Sequence, residues 1–204
     1  MEELVSQLIK SGYLKIPEIV EAFIKIDRVD FVPDSLRDLA YVNEPLAIGE
    51  GQTISQPLTV AFMLELLELA PGQKVLDVGT GSGWQAALLA EIVGLHGKVI
   101  SIERIKSLLE QAQYNLLKFH FNNLELVIGD GSLGYPDEAP YDRIVAAAVA
   151  KEIPQAWKDQ LKIGGIIVAP RGGSLVKLIK YNAAEFKEED FPGFVFVPLI
   201  RNNE

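Results

Sequence analysis

Between positions 74 and 169 five short runs rich in valine and isoleucine alternate with stretches of helical periodicity, and no other feature limits the fold so strongly. The pattern predicts strands at 74–78, 98–103, 124–128, 143–148 and 166–169, with helices at 84–93, 105–118 and 154–161. Parallel strands need crossovers of a dozen or more residues, which helices supply, and strands apolar on both sides must be covered on both faces. The predicted class is therefore α/β, a doubly wound and mostly parallel sheet.

The flanks differ in character. Leu4, Leu8 and Ile9 share a face of one short helix, and Pro17 opens a second that carries Ile19, Val20, Phe23 and Ile24 on one side. From 28 to 56, Pro33, Pro45, Gly49 and Gly51 forbid a long regular element and predict an ordered, loop-rich segment. A helix from Pro57 to about Leu69 is apolar on most sides, as a helix between layers would be, and Pro71-Gly72 ends it. Past Gly173 two strand-like runs, 175–181 and 194–199, flank an acidic stretch at 185–190 that reads as a turn. These runs predict an antiparallel pair at the C-terminal edge of the sheet. With 204 residues one core suffices. The expected organisation is a single domain over 1–204, with an N-terminal helical and loop cap at 1–56, an α/β core at 57–172 and C-terminal strands at 173–204.

Composition narrows function by exclusion. The formal net charge is −9 and no run of Lys or Arg exceeds two residues, which argues against a surface that tracks phosphates, so no nucleic-acid partner is expected. The chain has no cysteine, which rules out a disulfide scaffold, a thiolate nucleophile and thiolate-bound zinc, and no metal site is expected. The opening MEELVSQLIK lacks the basic stretch of a signal peptide, and no apolar run reaches bilayer length. A cytoplasmic monomer without a membrane partner is the expectation.

The richest chemistry lies in Val75-Leu76-Asp77-Val78-Gly79-Thr80-Gly81-Ser82-Gly83, at the junction of a predicted strand and helix. A glycine-rich turn there lets a ligand approach the backbone and the free N–H groups of the helix. The spacing is G-x-G-x-G, whereas a dinucleotide fingerprint reads G-x-G-x-x-G. Asp77 sits two residues before the first glycine. A carboxylate there would oppose a pyrophosphate but suit a ligand bearing an ammonium and a sulfonium, as S-adenosylmethionine does. Glu103 ends the second predicted strand, where an acid is suited to accept both ribose hydroxyls of an adenosine. Asp130 ends the third, within Gly129-Asp130-Gly131, suited to accept the adenine amino hydrogens. Singly, such acids are more often helix caps or turn formers. Three of them at the carboxyl ends of consecutive strands define one crevice, where open α/β sheets bind ligands.

A second segment is more specific. Gly49-Glu50-Gly51-Gln52-Thr53-Ile54-Ser55-Gln56-Pro57, preceded by Ala40-Tyr41 and Pro45-Leu46, resembles the signature of the protein-L-isoaspartate O-methyltransferases. The glycine turn, Glu103, Gly129-Asp130-Gly131, Tyr141-Asp142-Arg143-Ile144 and Leu161-Lys162-Ile163-Gly164-Gly165 follow in that family's order. The resemblance implies a Rossmann-like methyltransferase fold whose N-terminal segment folds over S-adenosylmethionine. It also implies methyl esterification of the free carboxylate of L-isoaspartyl residues in damaged proteins and peptides. On that reading Ser55 is the catalytic residue, and Gln52, Thr53 and Ile54 contact cofactor and substrate. The cofactor is held by the turn from Gly79 through Thr80, Gly81, Ser82 and Gly83, together with Asp77, Glu103, Arg104, Asp130 and Gly131. The substrate meets Thr53, Ser55 and the Val197-Pro198-Leu199 strand.

What the chain lacks agrees with such chemistry. A carboxylate is already ionised near neutral pH, so methyl transfer to it needs no general base. His96 and His120, the two histidines, lie in no recognisable constellation. Positioning is what such a site must supply. Read from its immediate neighbours alone, Ser55 is a candidate cap for the helix at Pro57. A methyltransferase for another carboxylate, and a module that binds cofactor and isoaspartyl protein without turnover, also remain open at this level.

Overall fold

The computed structural model describes residues 1–200, so the last four positions of the predicted C-terminal unit lie outside the described residues. Seven strands form the main sheet: β3 (Lys74–Val78), β4 (Lys98–Glu103), β5 (Leu124–Ile128), β6 (Tyr141–Ala146), β7 (Leu161–Arg171), β8 (Ser174–Lys180) and β9 (Phe186–Pro192). Their spatial order is β5-β4-β3-β6-β7-β8-β9. The first five strands run parallel, while β7–β8 and β8–β9 pair antiparallel. This is the mixed, Rossmann-like sheet with an antiparallel C-terminal edge that the alternation predicts. The strand order reverses between β3 and β6, so a crevice opens beyond their carboxyl ends.

Three layers of helix and sheet explain why α4 (Trp84–Val93) has no polar face. The sheet covers one side, and the N-terminal helices α1 (Glu2–Lys10) and α2 (Pro17–Lys25) cover the other. Leu8, Phe23, Leu88 and Val99 belong to one buried cluster, and Phe23 meets Trp84 edge-on at 5.5 Å between ring centroids. Helix α2 buries Ile19, Ala22 and Phe23, while Ile24 turns outward and is 51 % exposed. Ile9 of α1 is also exposed, so the predicted faces are each rotated slightly. On the opposite face of the sheet Trp157 anchors a second cluster with Leu76, Ile100 and Ile167. No helix among the described residues is long and apolar enough to cross a membrane.

Two predictions fail locally, each for a physical reason. The loop-rich segment contains a hairpin, β1 (Leu46–Gly49) with β2 (Gln52–Ile54). Gly49, Glu50 and Gly51, which punctuate the sequence, all have positive φ and form its turn. The acidic stretch read as a turn is strand β9, with Lys177 opposite Glu189 and Ile179 opposite Lys187. It lies at the edge of the sheet, where a charged outer strand is tolerated and discourages pairing with another chain. The true turn is at 181–185, where Asn182 Oδ1 accepts from the N–H groups of Ala184 and Glu185. Residues 194–199 therefore do not pair with β8. They leave the sheet and cross its strand ends, held by Val149 N–H donating to Val197 O and Leu199 N–H donating to Val149 O, both at 2.8 Å.

The apolar cluster shared by α1, α2, α4 and the sheet leads us to propose that cap, core and C-terminal strands unfold together. Trp84 and Trp157 are both buried, one on each face of the sheet, and serve as separate reporters. Trp84→Phe and Trp157→Phe variants, each followed by its remaining tryptophan's fluorescence in urea, are expected to trace transitions that coincide with the circular dichroism. A cap-side transition at lower urea than the rest would split the unit.

Candidate functional site

The glycine turn is fixed from below before any ligand is considered. Gly79 and Thr80 both donate backbone N–H bonds to Ile102 O, at 2.9 and 3.2 Å, which holds the turn against β4. Glu103, at the end of β4, accepts from Gly81 N–H through Oε2 at 2.9 Å and from Arg104 and Ile105 N–H through Oε1 at 2.9 and 3.0 Å. Glu103 is 6 % exposed yet borders the crevice, and these three donors leave one of its about four lone pairs, on Oε2, without a backbone partner. Val78, Ile102 and Leu108 give the crevice an apolar lining, and Gly79, Gly81 and Arg104 complete that side. Its empty volume, partly open to solvent, is about 640 Å³.

Glycine is required at two points of this wall. A Cβ on Gly131 would collide with Val78 Cγ1, so bare backbone forms the floor there, and Trp157 Nε1 pins it by donating to Gly131 O at 2.8 Å. Gly81 has φ +54°, and a Cβ there would stand 3.4 Å from Ile48 Cδ1 of the hairpin that covers it. Ser82 and Gly83 serve the frame instead. Ser82 O accepts from Asn115 Nδ2, and Gly83 packs against Ala112 and Leu116 of α5 (Lys106–Leu116).

Two of the acids assigned to the cofactor have partners within the protein. Asp77 is fully buried beneath the turn, where Oδ1 accepts from Gln85 Nε2 at 2.8 Å and Oδ2 from Ser101 Oγ at 2.7 Å. Ser101 Oγ also lies 2.6 Å from Thr80 Oγ1, so Asp77 braces the turn through a hydroxyl pair. Its position on β3 points the side chain into the layer beside α4 and not into the crevice. Asp130 begins a short helical turn, where its Oδ1 accepts from Ser132 N–H at 2.9 Å; its neighbour Gly131, not Asp130, lines the crevice.

Burial pushes the Asp77 carboxyl from its ordinary 3.8 up to about 6; the bonds from Ser101 and Gln85 pull it down, and the charge of Glu103 adds to the rise. Between about pH 4 and pH 6 the folded state therefore holds a proton that the unfolded state has lost. Stability falls as pH rises through that window, by about 3 kcal/mol in all. Asp77→Asn, which retains partners for Gln85 and Ser101, is expected to flatten this fall in urea unfolding measured from pH 4 to 7. A slope unchanged from wild type would assign it to other groups.

Ser55 is half-buried just beyond β2. It does not cap α3 (Pro57–Leu67): the cap position is Gln56, without a side-chain cap bond, and Asn43 Oδ1 accepts from Leu58 N–H at 2.9 Å. Ser55 instead faces two spaces. One is a small pocket beside Thr80, Ser82 and Gln85, under the hairpin. The other is an open groove of about 1460 Å³ between the start of α3 and residues 192–197. Thr53, Ala147 and Val197 line both this groove and the crevice, while Pro198 and Leu199 line the crevice. Gln52 also lines the crevice, and Ile54 is buried beneath the hairpin. The residues 52–55, 79–81, 103–104 and 197–199 thus meet around the crevice, the small pocket under the hairpin and the groove.

The sequence reading missed Arg28 and Asn43. A lone arginine between Asp27 and Val29 carries no local mark of burial, yet it is 0 % exposed. Its contacts span residues 40 to 55, which only the folded chain brings together.

Comparison with known proteins agrees with this architecture. The family model of protein-L-isoaspartate(D-aspartate) O-methyltransferase matches residues 1–204. A protein named protein-L-isoaspartate O-methyltransferase from Ignicoccus hospitalis is 48% identical over 97% of this chain and 96% of its own length. One of the same name from Methanopyrus kandleri is 46% identical over 98% and 90%. In fold, the chain is similar to a Plasmodium falciparum protein described as a protein-L-isoaspartate O-methyltransferase in complex with S-adenosyl-L-homocysteine. That structure superposes with a TM-score of 0.88 at 23% identity, covering 98% of both chains. The match runs the full length, from the N-terminal cap through the crossing C-terminal segment, and this chain belongs to the protein-L-isoaspartate(D-aspartate) O-methyltransferase family.

Proposed function

We propose that this chain esterifies the free carboxylate of L-isoaspartyl residues in damaged proteins and peptides, taking the methyl group from S-adenosylmethionine. The observation that carries the reading is Ser55, relieved of capping by Asn43 and standing between the glycine turn and an open groove. The crevice fits an adenosyl ligand in its chemistry. Glu103 offers the lone pair left on Oε2 to a ribose hydroxyl, Val78, Ile102 and Leu108 offer an apolar slot for adenine, and Gly81 and Gly131 bring bare backbone to the ligand. S-adenosylmethionine, when bound, supplies an electrophilic methyl on a sulfonium.

The protein's part is positioning. Ser55 and the backbone around it hold the acceptor carboxylate in line with the methyl, and Thr53 and Val197 close the wall between donor and acceptor. Such alignment lowers a barrier by about 7–11 kcal/mol at best. No residue needs to take a proton, because the acceptor is ionised near neutral pH. The methyl ester leaves as methanol when the following peptide nitrogen attacks, giving a succinimide, and hydrolysis of that ring returns part of the material to ordinary aspartate. Residues 194–197 border the groove, with Val195 95 % exposed, and are placed to lie beside an extended peptide and read the extra main-chain methylene of isoaspartate.

On the same reading the chain works as a cytoplasmic monomer, and its net charge of −9 disfavours nucleic acid as substrate. Two peptides identical except for Asp or isoAsp, offered with labelled donor, test the assignment. Methyl uptake by the isoAsp peptide alone is expected. Equal uptake by both would point to a less selective carboxylate methyltransferase. Uptake by neither, with measurable cofactor binding, would make this a binding module.

A further inference from the structure

We propose that Arg28 is a positioning residue for the methyl acceptor, acting through the main chain of Ser55 and as a buried positive charge behind the groove. Its guanidinium is fully buried. Nη1 donates to Ala40 O at 2.8 Å and Val42 O at 3.2 Å, and Nη2 donates to Glu44 O at 2.9 Å and Ser55 O at 3.1 Å. The group lies 5.4 Å from the ring centroid of Trp84, the first residue of the helix that follows the glycine turn. One side chain thus ties the covering segment, the end of β2 and the cofactor helix together.

The bonding pattern distinguishes this from an ordinary clasp. Among the described residues Arg28 forms no ion pair, and its buried Nε has no hydrogen-bond partner. Every acceptor is a neutral carbonyl, so the site keeps a full positive charge out of water, a costly arrangement when no anion is present. Burial lowers its pKa to about 10, which leaves it cationic at working pH. An arriving acceptor carboxylate at Ser55 is an anion of the kind this charge lacks. In a chain of net charge −9 the acceptor otherwise meets repulsion. The guanidinium fork also ties down Ser55, because its four carbonyl partners come from two separate stretches of chain, 40–44 and 55, which a single ammonium is poorly shaped to bridge.

This inference rests on the assignment of Ser55 to the acceptor, and the test separates the two. Full-length Arg28→Lys and Arg28→Met are compared with wild type on an isoaspartyl peptide, with rates normalised to S-adenosylhomocysteine-binding sites counted by calorimetry. Lysine keeps the charge but not the fork. It is expected to lower kcat tenfold or more, with KM within threefold. Methionine loses both, and KM is expected to rise at least tenfold as kcat falls. Cofactor affinity should stay within threefold in each. Wild-type kcat and KM per binding site, with only a lower Tm, would reduce Arg28 to a structural clasp and overturn the proposal, as would loss of cofactor binding in the lysine variant. Should methionine prevent folding, the lysine variant decides. Ser55→Ala measured alongside keeps the readings apart: a wild-type rate there removes the role of Ser55 and the positioning through it. Wild-type rates in both Arg28 variants, with Ser55→Ala slow, overturn this proposal alone.

Discussion

Replacing Ser55 with alanine is expected to lower kcat on an isoaspartyl peptide about a hundredfold while leaving the dissociation constant for S-adenosylhomocysteine within threefold. The magnitude follows from what the residue is asked to do. Methyl transfer to a carboxylate has no proton to move, so misplacement of the acceptor is the main way to lose rate, and an error of about 1 Å costs roughly 10²-fold. The split between rate and affinity follows from location. Ser55 borders the groove and the pocket under the hairpin, whereas the adenosyl crevice is lined by Glu103, Val78 and Leu108. Because Asn43 supplies the helix with its acceptor, removing the Ser55 hydroxyl deletes no cap. Stopped turnover assays and calorimetry on the same preparation check both halves. A parallel loss of rate and cofactor affinity would make Ser55 part of the frame.

Glu103→Ala should have the opposite profile, raising the dissociation constant for S-adenosylhomocysteine at least about a hundredfold. The charge-assisted hydrogen bond that Glu103 still offers a ribose, through the one lone pair left on Oε2, is worth about 1.5–3 kcal/mol in all. Its loss is compounded locally, since the same carboxylate accepts from Gly81, Arg104 and Ile105 N–H groups that shape the turn. Glu103→Gln keeps the side-chain shape and one acceptor oxygen, so it should weaken binding by about tenfold, between the extremes. Calorimetric titration distinguishes these values. A dissociation constant unchanged in Glu103→Ala would remove the ribose role outright.

The parallel core was legible because each of its elements carries its own signal. β3, β4 and β5 have the predicted bounds, and so does α4, because runs such as Lys98–Glu103 are both apolar and flanked by clear breaks. The edge was less legible. Strand β9, with Lys187, Glu188, Glu189 and Asp190, has the composition of a turn, and only its place at the end of an established sheet makes it a strand. Among the proposed site residues, the spacing that singles out Glu103 and the glycine turn corresponds to a strand end and a turn that hydrogen bonds join. The hydrogen-bond partners of Asp77 and Asp130 were not legible, because Gln85, Ser101 and the Ser132 N–H engage these strand-end acids in ways that local spacing does not announce. Arg28 lay beyond reach for a different reason: its partners are backbone carbonyls, which no residue type announces.

The crossing segment at 197–199 has a thermodynamic corollary. Val197 lines both the crevice proposed for the adenosyl donor and the groove proposed for the peptide, and its segment is held by Val149 N–H donating to Val197 O and Leu199 N–H donating to Val149 O. On the proposed reading, a donor that orders this shared wall is expected to make the two occupancies interdependent. Whatever firmness the donor imparts to it the acceptor inherits, and by reciprocity the peptide returns the same factor to the donor.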